Sequence, residues 1–111
     1  MNQNLGYTAL VTGELWKDHP EKSFALRGEF VERNPRAAEA LTAAVIEAAR
    51  WCDVPGNKEE LANIIGRRAW FNVPPADILP RLQGIVDYGD GRSVTNTDTS
   101  MKFWRDHASY P

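Results

Sequence analysis

Residues 13–20 read GELWKDHP, and residues 28–35 read GEFVERNP. The two stretches share the glycine, the glutamate and the proline at the same positions, and both place two apolar residues after the glutamate. A glutamate in the first turn of a helix is favoured by the helix dipole, and the proline ends the helix. The sequence therefore predicts a short helix at each copy, Gly13–Asp18 and Gly28–Arg33.

A short apolar run precedes each copy. Residues 7–12 read YTALVT, which is rich in β-branched and aromatic types, and residues 23–27 read SFALR, which alternates in part. Both runs are strand candidates. Two copies at this short period are too few for a solenoid, so the pattern indicates two successive β-turn-α steps.

A long helix is the clearest element of the sequence. Asn34 is a good N-cap, Pro35 is a favoured first residue, and residues 53–56 (DVPG) end the helix. Six residues at helical spacing predict one apolar face: Ala37, Leu41, Ala44, Val45, Ala48 and Trp51. On the polar side, i,i+3 ion pairs are expected for Arg36 with Glu39 and for Glu47 with Arg50.

Two shorter helices follow, and after them the sequence loses its helical periodicity. One opens at Asn57 and closes at Gly66, and the next runs through Leu82 with Pro80 inside it. Turn residues (DYGDGR) then occupy positions 87–92, and residues 93–111 are expected to form an irregular tail. The predicted fold class is mostly α with two short strands, in a single partial domain over residues 1–111.

Composition excludes several classes of function. The chain has 111 residues and a formal net charge of −2, which argues against a basic nucleic-acid-binding stripe. Its single cysteine, Cys52, excludes an intramolecular disulfide. Cys52 is expected to be a small buried hydrophobe. No run of residues reaches the length of a membrane helix, and residues 1–6 lack the layout of a signal peptide.

Neither catalysis nor a metal site is expected. His19 and His107 are the only physiological bases, and no catalytic motif surrounds either of them, so a surface or capping role is favoured. Asp87, Asp90 and Asp98 lack the spacing of a calcium loop, and a tight turn is the better interpretation. We therefore expect a protein that is not an enzyme and that uses no cofactor or metal.

Anion binding has a firmer basis. The predicted helices present backbone N–H groups at their N-termini, which suit anions. Arg36 lies in the first turn of the long helix, where the dipole disfavours a cation. Two interpretations stay open, a nearby ligand or partner for Arg36 and an ion pair with Glu39.

The ordered set of short motifs resembles the nitrate- and bicarbonate-binding proteins of cyanobacterial-type ABC importers. The likeness covers essentially the whole chain. It runs through residues 6–12, residues 15–22, Asn34-Pro35-Arg36, Glu47-Ala48, Asp53, Asn57, Glu60, Pro74-Pro75, residues 80–84, residues 87–92, Phe103-Trp104 and residues 108–111.

The resemblance implies part of one lobe of a periplasmic-binding-protein-like type II fold, as a late internal fragment of a longer protein. The implied function is non-catalytic capture of nitrate, nitrite or bicarbonate for an ABC permease, with the full-length family in the periplasm. Gly6 resembles the family glycine that approaches the anion through its backbone. Arg36 stands where the nitrate binders carry a lysine. The alternative is a stand-alone small α-rich regulatory domain that self-associates through an exposed lobe surface.

Overall fold

A computed structural model describes residues 6–107 of the chain. Within this range the helices are α1 (Gly28–Arg33), α2 (Pro35–Asp53), α3 (Lys58–Ile65) and α4 (Pro75–Leu82), and the strands are β1 (Ile85–Asp87) and β2 (Ser93–Thr95). Short 3-10 turns lie at Thr12–Glu14, Pro55–Asn57, Thr97–Thr99 and Arg105–His107. The predicted class, mostly helical with two short strands, is confirmed.

The helices follow the sequence signals closely. Helix α1 spans Gly28–Arg33 as predicted, and α2 begins at Pro35 and ends at Asp53. The role of Asn34 differs from the prediction, since its side-chain Nδ2 donates to the carbonyl of Phe30 at 3.2 Å. Asn34 therefore closes α1 rather than capping α2. Pro80 lies inside α4, which continues to Leu82.

The core lies where α3 and α4 meet the end of α2. Its buried centre is formed by Leu61, Ala62 and Leu82. Partly buried side chains pack around this centre, namely Trp51, Cys52, Ile65, Ile78, Leu79 and Phe103. Gly66 allows the close approach of α3 to the next segment, because a Cβ there would lie 2.7 Å from the carbonyl oxygen of Val73.

The sheet is a two-stranded hairpin whose second strand lies in the predicted irregular tail. Strands β1 and β2 pair antiparallel, with Val86 opposite Val94, and residues 88–92 form the predicted turn. Residues 93–95 are therefore a strand and not the start of an irregular tail. Two aspartates stabilise the turn, since Asp87 Oδ1 accepts the N–H of Gly89 at 2.9 Å and Asp90 Oδ1 accepts the N–H of Arg92 at 3.0 Å. The last part of the predicted tail, residues 108–111, lies outside the described residues.

The predicted β-turn-α steps are wrong. Residues 7–12 and 23–27 are not strands, because neither run gains a ladder partner within residues 6–107. The predicted helix Gly13–Asp18 is also wrong. The chain there forms only the turn Thr12–Glu14, and Asp18 adopts a left-handed φ of 57°, which a helix does not accommodate.

Two acidic groups fasten the C-terminal segment to the rest of the chain. The carboxylate of Asp53, at the end of α2, accepts the backbone N–H groups of three consecutive residues, 103–105. Lys102 Nζ lies 2.5 Å from Asp18 and 3.2 Å from Asp106, with its side chain only 5% exposed. The Asp53 contacts hold the C-terminal segment at the end of α2, and the Lys102–Asp18 contact joins this segment to the N-terminal part of the chain.

The predicted apolar face of α2 is largely exposed. Leu41 is 44% and Val45 39% exposed, and Ala37, Ala44 and Ala48 also face solvent. The radius of gyration is 16.4 Å, against about 13 Å for a compact domain of this length. Trp51, at the C-terminal end of the face, is half-buried and packs against the core. The rest of the face is open because the described residues pack on a neighbouring side of α2. Within residues 6–107, no helix combines the length and the apolarity needed to cross a bilayer.

Candidate functional site

The segment that begins at Gly6 lies along the β-hairpin. The N–H of Thr8 donates to the carbonyl of Tyr88 at 2.7 Å, and Arg81 Nη2 donates to Thr8 Oγ1 at 3.2 Å. Gly6 itself is exposed, and a Cβ built on it would meet no atom within 4 Å. No packing contact among residues 6–107 requires a glycine at this position, but its φ of +159° is one that other residues rarely adopt.

Tyr88 organises the hairpin end of this region. Its ring is buried, and its hydroxyl donates to the carboxylate of Glu14, a hydrogen bond that raises the pKa of Tyr88. The guanidinium of Arg92 lies 4.3 Å from the centre of the tyrosine ring. Arg92 also bonds Asp90, with Nε 2.8 Å from Oδ2, and its backbone N–H lowers the pKa of Asp90. The charged groups of this cluster are therefore paired with other members of the cluster, Glu14 with Tyr88 and Arg92 with Asp90.

A depression of about 290 Å³ adjoins the cluster. Its lining consists of Glu14, Val86, Tyr88, Arg92, Val94, Asn96 and Thr99. A carboxylate forms part of the wall, and the guanidinium of Arg92 already faces Asp90 and the tyrosine ring. The depression is therefore poorly suited to an anion, and the cluster serves to hold residues 8–14 against the hairpin.

Arg36 is the second residue of α2. It is exposed, and the predicted ion pair with Glu39 is not formed among residues 6–107. The expected pair between Glu47 and Arg50 is likewise not formed, because Arg50 lies over the ring of Trp104, 5.1 Å from its centre. Within the described range, neither a hydrogen bond nor an ion pair links Arg36 to Gly6.

The histidine and aspartate candidates have local structural roles. His19 Nδ1 donates to the carbonyl of Trp16 at 2.9 Å. The side chain of His107 lies outside the part of the chain that the structure describes. Asp98 pairs with Lys17 at 3.8 Å, while Asp87 and Asp90 shape the hairpin turn. Among the described residues, no group of acidic, histidine or cysteine side chains has the arrangement of a metal site.

A buried lysine lies next to Cys52. Lys58 is buried, its Nζ donates to the carbonyl of Cys52 at 2.7 Å, and it lies 5.5 Å from the centre of the Phe103 ring. Burial lowers the pKa of Lys58. Cys52 is half-buried, and burial raises the pKa of its thiol, so the unreactive protonated form is favoured.

Comparison with known proteins places the chain in a family. The profile of the NMT1-like family matches residues 1–66. The chain belongs to this family. The nitrate/nitrite binding protein NrtA of Nostoc sp. is 56% identical over 111 residues, which are 100% of this chain and 25% of the relative. The bicarbonate-binding protein CmpA of Synechococcus elongatus is 40% identical over 97% of this chain and 25% of the relative.

The solved structures give the same assignment. The crystal structure of the periplasmic nitrate-binding protein NrtA from Synechocystis superposes with a TM-score of 0.94 at 49% identity, over 99% of this chain and 29% of that one. The chain therefore has the fold of part of a periplasmic binding protein, as the resemblance implied. It spans about a quarter of the length of the curated relatives that it matches.

The clusters around Asp53, Tyr88 and Lys102 were not predicted from the sequence. Each joins residues that lie far apart, with separations of 51 for Asp53 and Trp104, 74 for Tyr88 and Glu14, and 84 for Lys102 and Asp18. Local periodicity carries no signal for such pairs. A non-glycine residue with left-handed backbone, such as Asp18, likewise has no distinctive local sequence signature.

Proposed function

We propose that this chain forms part of the solute-binding component of an ABC importer for nitrate or nitrite. The observation that carries the proposal is the high identity to NrtA over the full length of the chain. Identity to the bicarbonate-binding relative is lower, which favours nitrate and nitrite over bicarbonate as ligands. The function is binding without catalysis, since the relatives are solute-binding proteins.

Gly6 and Arg36 are the two residues that we assign to the anion site. Gly6 is exposed and has open space around its Cα, so its backbone can be approached closely by a ligand. Arg36 is exposed and has its guanidinium available. A guanidinium offers two parallel N–H donors, which match two oxygens of a planar oxyanion such as nitrate. The remaining walls of the site come from other parts of a full-length family protein.

The partner in this proposal is an ABC permease, and the location is the periplasm. Support for the location comes from the solved relative, which is described as a periplasmic nitrate-binding protein. Support for the permease comes from the resemblance to solute-binding components of ABC importers. No self-sufficient anion site is proposed for the 111-residue chain, because the described residues enclose none.

A chimera tests the proposal. The chain replaces the matched quarter of Nostoc NrtA, and calorimetry measures binding of nitrate, nitrite and bicarbonate to the purified chimera. We expect nitrate binding that Arg36→Ala weakens by about tenfold or more. Arg36→Lys should retain most of the affinity because it keeps the positive charge, and Arg68→Ala, at another exposed arginine, should have no effect. A folded chimera that binds none of the three anions would contradict the proposal.

A second candidate is a self-associating interaction module derived from this family. The observation in its favour is the exposed apolar stripe of α2, which includes Leu41 and Val45. Sedimentation of the 111-residue chain over a range of concentrations tests it. A concentration-dependent dimer would support this candidate, and a monomer at all concentrations would exclude it.

A further inference from the structure

Helix α2 has a wide apolar arc of which the chain covers only one side. Ala38 is buried, and Ile46 and Ala49 are half-buried, so these residues mark the side that faces the rest of the chain. At 100° per residue, a second stripe lies directly beside them. That stripe consists of Ala37, Leu41, Ala44, Val45 and Ala48, all of them exposed.

The opposite side of α2 is polar. Arg36, Glu39, Glu47 and Arg50 fall on it, together with Ala43. A surface helix normally has one apolar stripe toward the core and a polar face toward water. In α2 the apolar surface continues beyond the part that is covered, and its sequence is therefore that of a helix buried on two adjoining sides.

The amount of open surface indicates what covers the stripe. The accessible surface is 8497 Å², whereas a compact monomer of this mass has about 6,200 Å². The excess of about 2,300 Å² is well above the roughly 800 Å² that one partner buries in a standard interface. Large exposed side chains also occur outside α2, including Trp16 at 65% and Trp70 at 68%. A single two-fold contact would leave much of this surface open.

We propose that the exposed stripe of α2 is an internal contact surface, covered by the remaining part of a full-length solute-binding protein of this family. The inference rests on the proposed function, because that function makes the chain one quarter of such a protein. The occupant has an apolar surface of its own, since the stripe offers neither charge nor a hydrogen-bonding side chain. A second copy of the chain is the competing occupant.

Two adjacent alanines provide a matched test. Ala44 lies on the stripe and Ala43 on the polar side, and both are exposed. Lysine is a good helix former, so Ala44→Lys and Ala43→Lys should both leave the melting temperature of the 111-residue chain nearly unchanged. In the chimera with Nostoc NrtA, we expect Ala44→Lys to lower the melting temperature by about 3 °C or more and Ala43→Lys to leave it unchanged.

The possible outcomes test the contact surface and the proposed function independently. If the chimera with Ala44→Lys melts like the parent chimera, the stripe is not an internal contact and the inference fails. It also fails if the 111-residue chain forms a dimer that Ala44→Lys dissociates while the chimera stays unaffected. If the parent chimera binds no anion but Ala44→Lys still destabilises it, the proposed ligand is wrong and the contact surface stands.

Discussion

The Asp53 carboxylate accepts the backbone N–H of Trp104 through Oδ2 at 2.7 Å, across 51 positions of the chain. The same oxygen accepts the N–H of Arg105 at 2.7 Å, and Oδ1 accepts that of Phe103 at 3.1 Å. The Asp53 side chain is only 9% exposed. A buried carboxylate that accepts three N–H groups holds the C-terminal segment against the end of α2 and satisfies three backbone donors at once.

Replacing Asp53 by asparagine should destabilise the chain. The neutral amide has a single acceptor oxygen and no charge, so at least one of the three N–H groups loses its partner, and the others have a weaker one. We expect the free energy of unfolding to fall by about 2–4 kcal/mol, measured by urea denaturation. Asp98→Asn is the control, because Asp98 is 68% exposed and its ion pair with Lys17 is long, at 3.8 Å. Equal effects of the two substitutions would contradict this role of Asp53.

The contact between Lys102 and Asp18 predicts a specific dependence of stability on pH. The hydrogen bond from Lys102 lowers the pKa of Asp18 below its ordinary value of 3.8. The contact therefore stabilises the folded chain fully above pH 3.8, and this stabilisation is lost as the pH falls through the lowered pKa. The hydrogen bond to Asp18 raises the pKa of Lys102 above 10.5, so the same stability is lost as the pH rises further. Wild type should exceed Lys102→Met in stability by a constant amount between about pH 5 and 9.5. The difference should shrink at both ends, and a difference independent of pH from 2 to 12 would contradict the ionic contact.

The contribution of Lys58 to stability should change with alkaline pH in the opposite direction to that of Lys102. Burial lowers its pKa below 10.5, so between the folded and unfolded pKa values the unfolded chain binds the additional proton. The stability of wild type relative to Lys58→Met should therefore rise as the pH increases toward 10.5. Urea denaturation at several alkaline pH values measures this, with Lys102→Met in the same series as the opposite case. A fall in relative stability would show that the charge of Lys58 is stabilised in the fold.

Glycine is required at Gly84 for two reasons that can be separated. Its φ is +79°, and a Cβ would lie 2.9 Å from the carbonyl oxygen of Asn96 and 2.9 Å from the Cα of Thr97. Gly91 has a φ of +94° but open space around it. We expect Gly91→Ala to cost about 1 kcal/mol through backbone strain alone and Gly84→Ala to cost more than about 2 kcal/mol. Thermal unfolding of the two variants checks the order, and equal costs would rule out the steric contribution.

The sequence predicted the helices from Gly28 onward because their signals are local, although the same Gly-Glu pattern wrongly predicted a helix at residues 13–18. Asn34-Pro35 and the glycines at residues 28 and 66 mark helix ends within a few residues, whatever the rest of the chain does. The strand predictions at residues 7–12 and 23–27 were wrong because a strand forms only with a partner strand. The β-branched composition of residues 7–12 does not indicate whether such a partner is present. The residues that cover the apolar stripe of α2 could not be predicted for a related reason. The periodicity identifies the apolar stripe, but what covers it depends on chain that is distant in sequence.

Gly6 gives the last prediction, in which stability and binding separate. A Cβ at Gly6 meets no atom within 4 Å, but the φ of +159° is one that other residues rarely adopt. Gly6→Ala should therefore lower the stability of the 111-residue chain by about 1 kcal/mol, through backbone strain alone. In the chimera with Nostoc NrtA, the added methyl group should block close approach of the anion to the backbone and weaken nitrate binding by about tenfold or more. Gly28→Ala is the matched control, since Gly28 is the first residue of α1 and also has open space around it. Unchanged nitrate affinity of Gly6→Ala would remove Gly6 from the anion site, because an anion held by that backbone could not accommodate the methyl group.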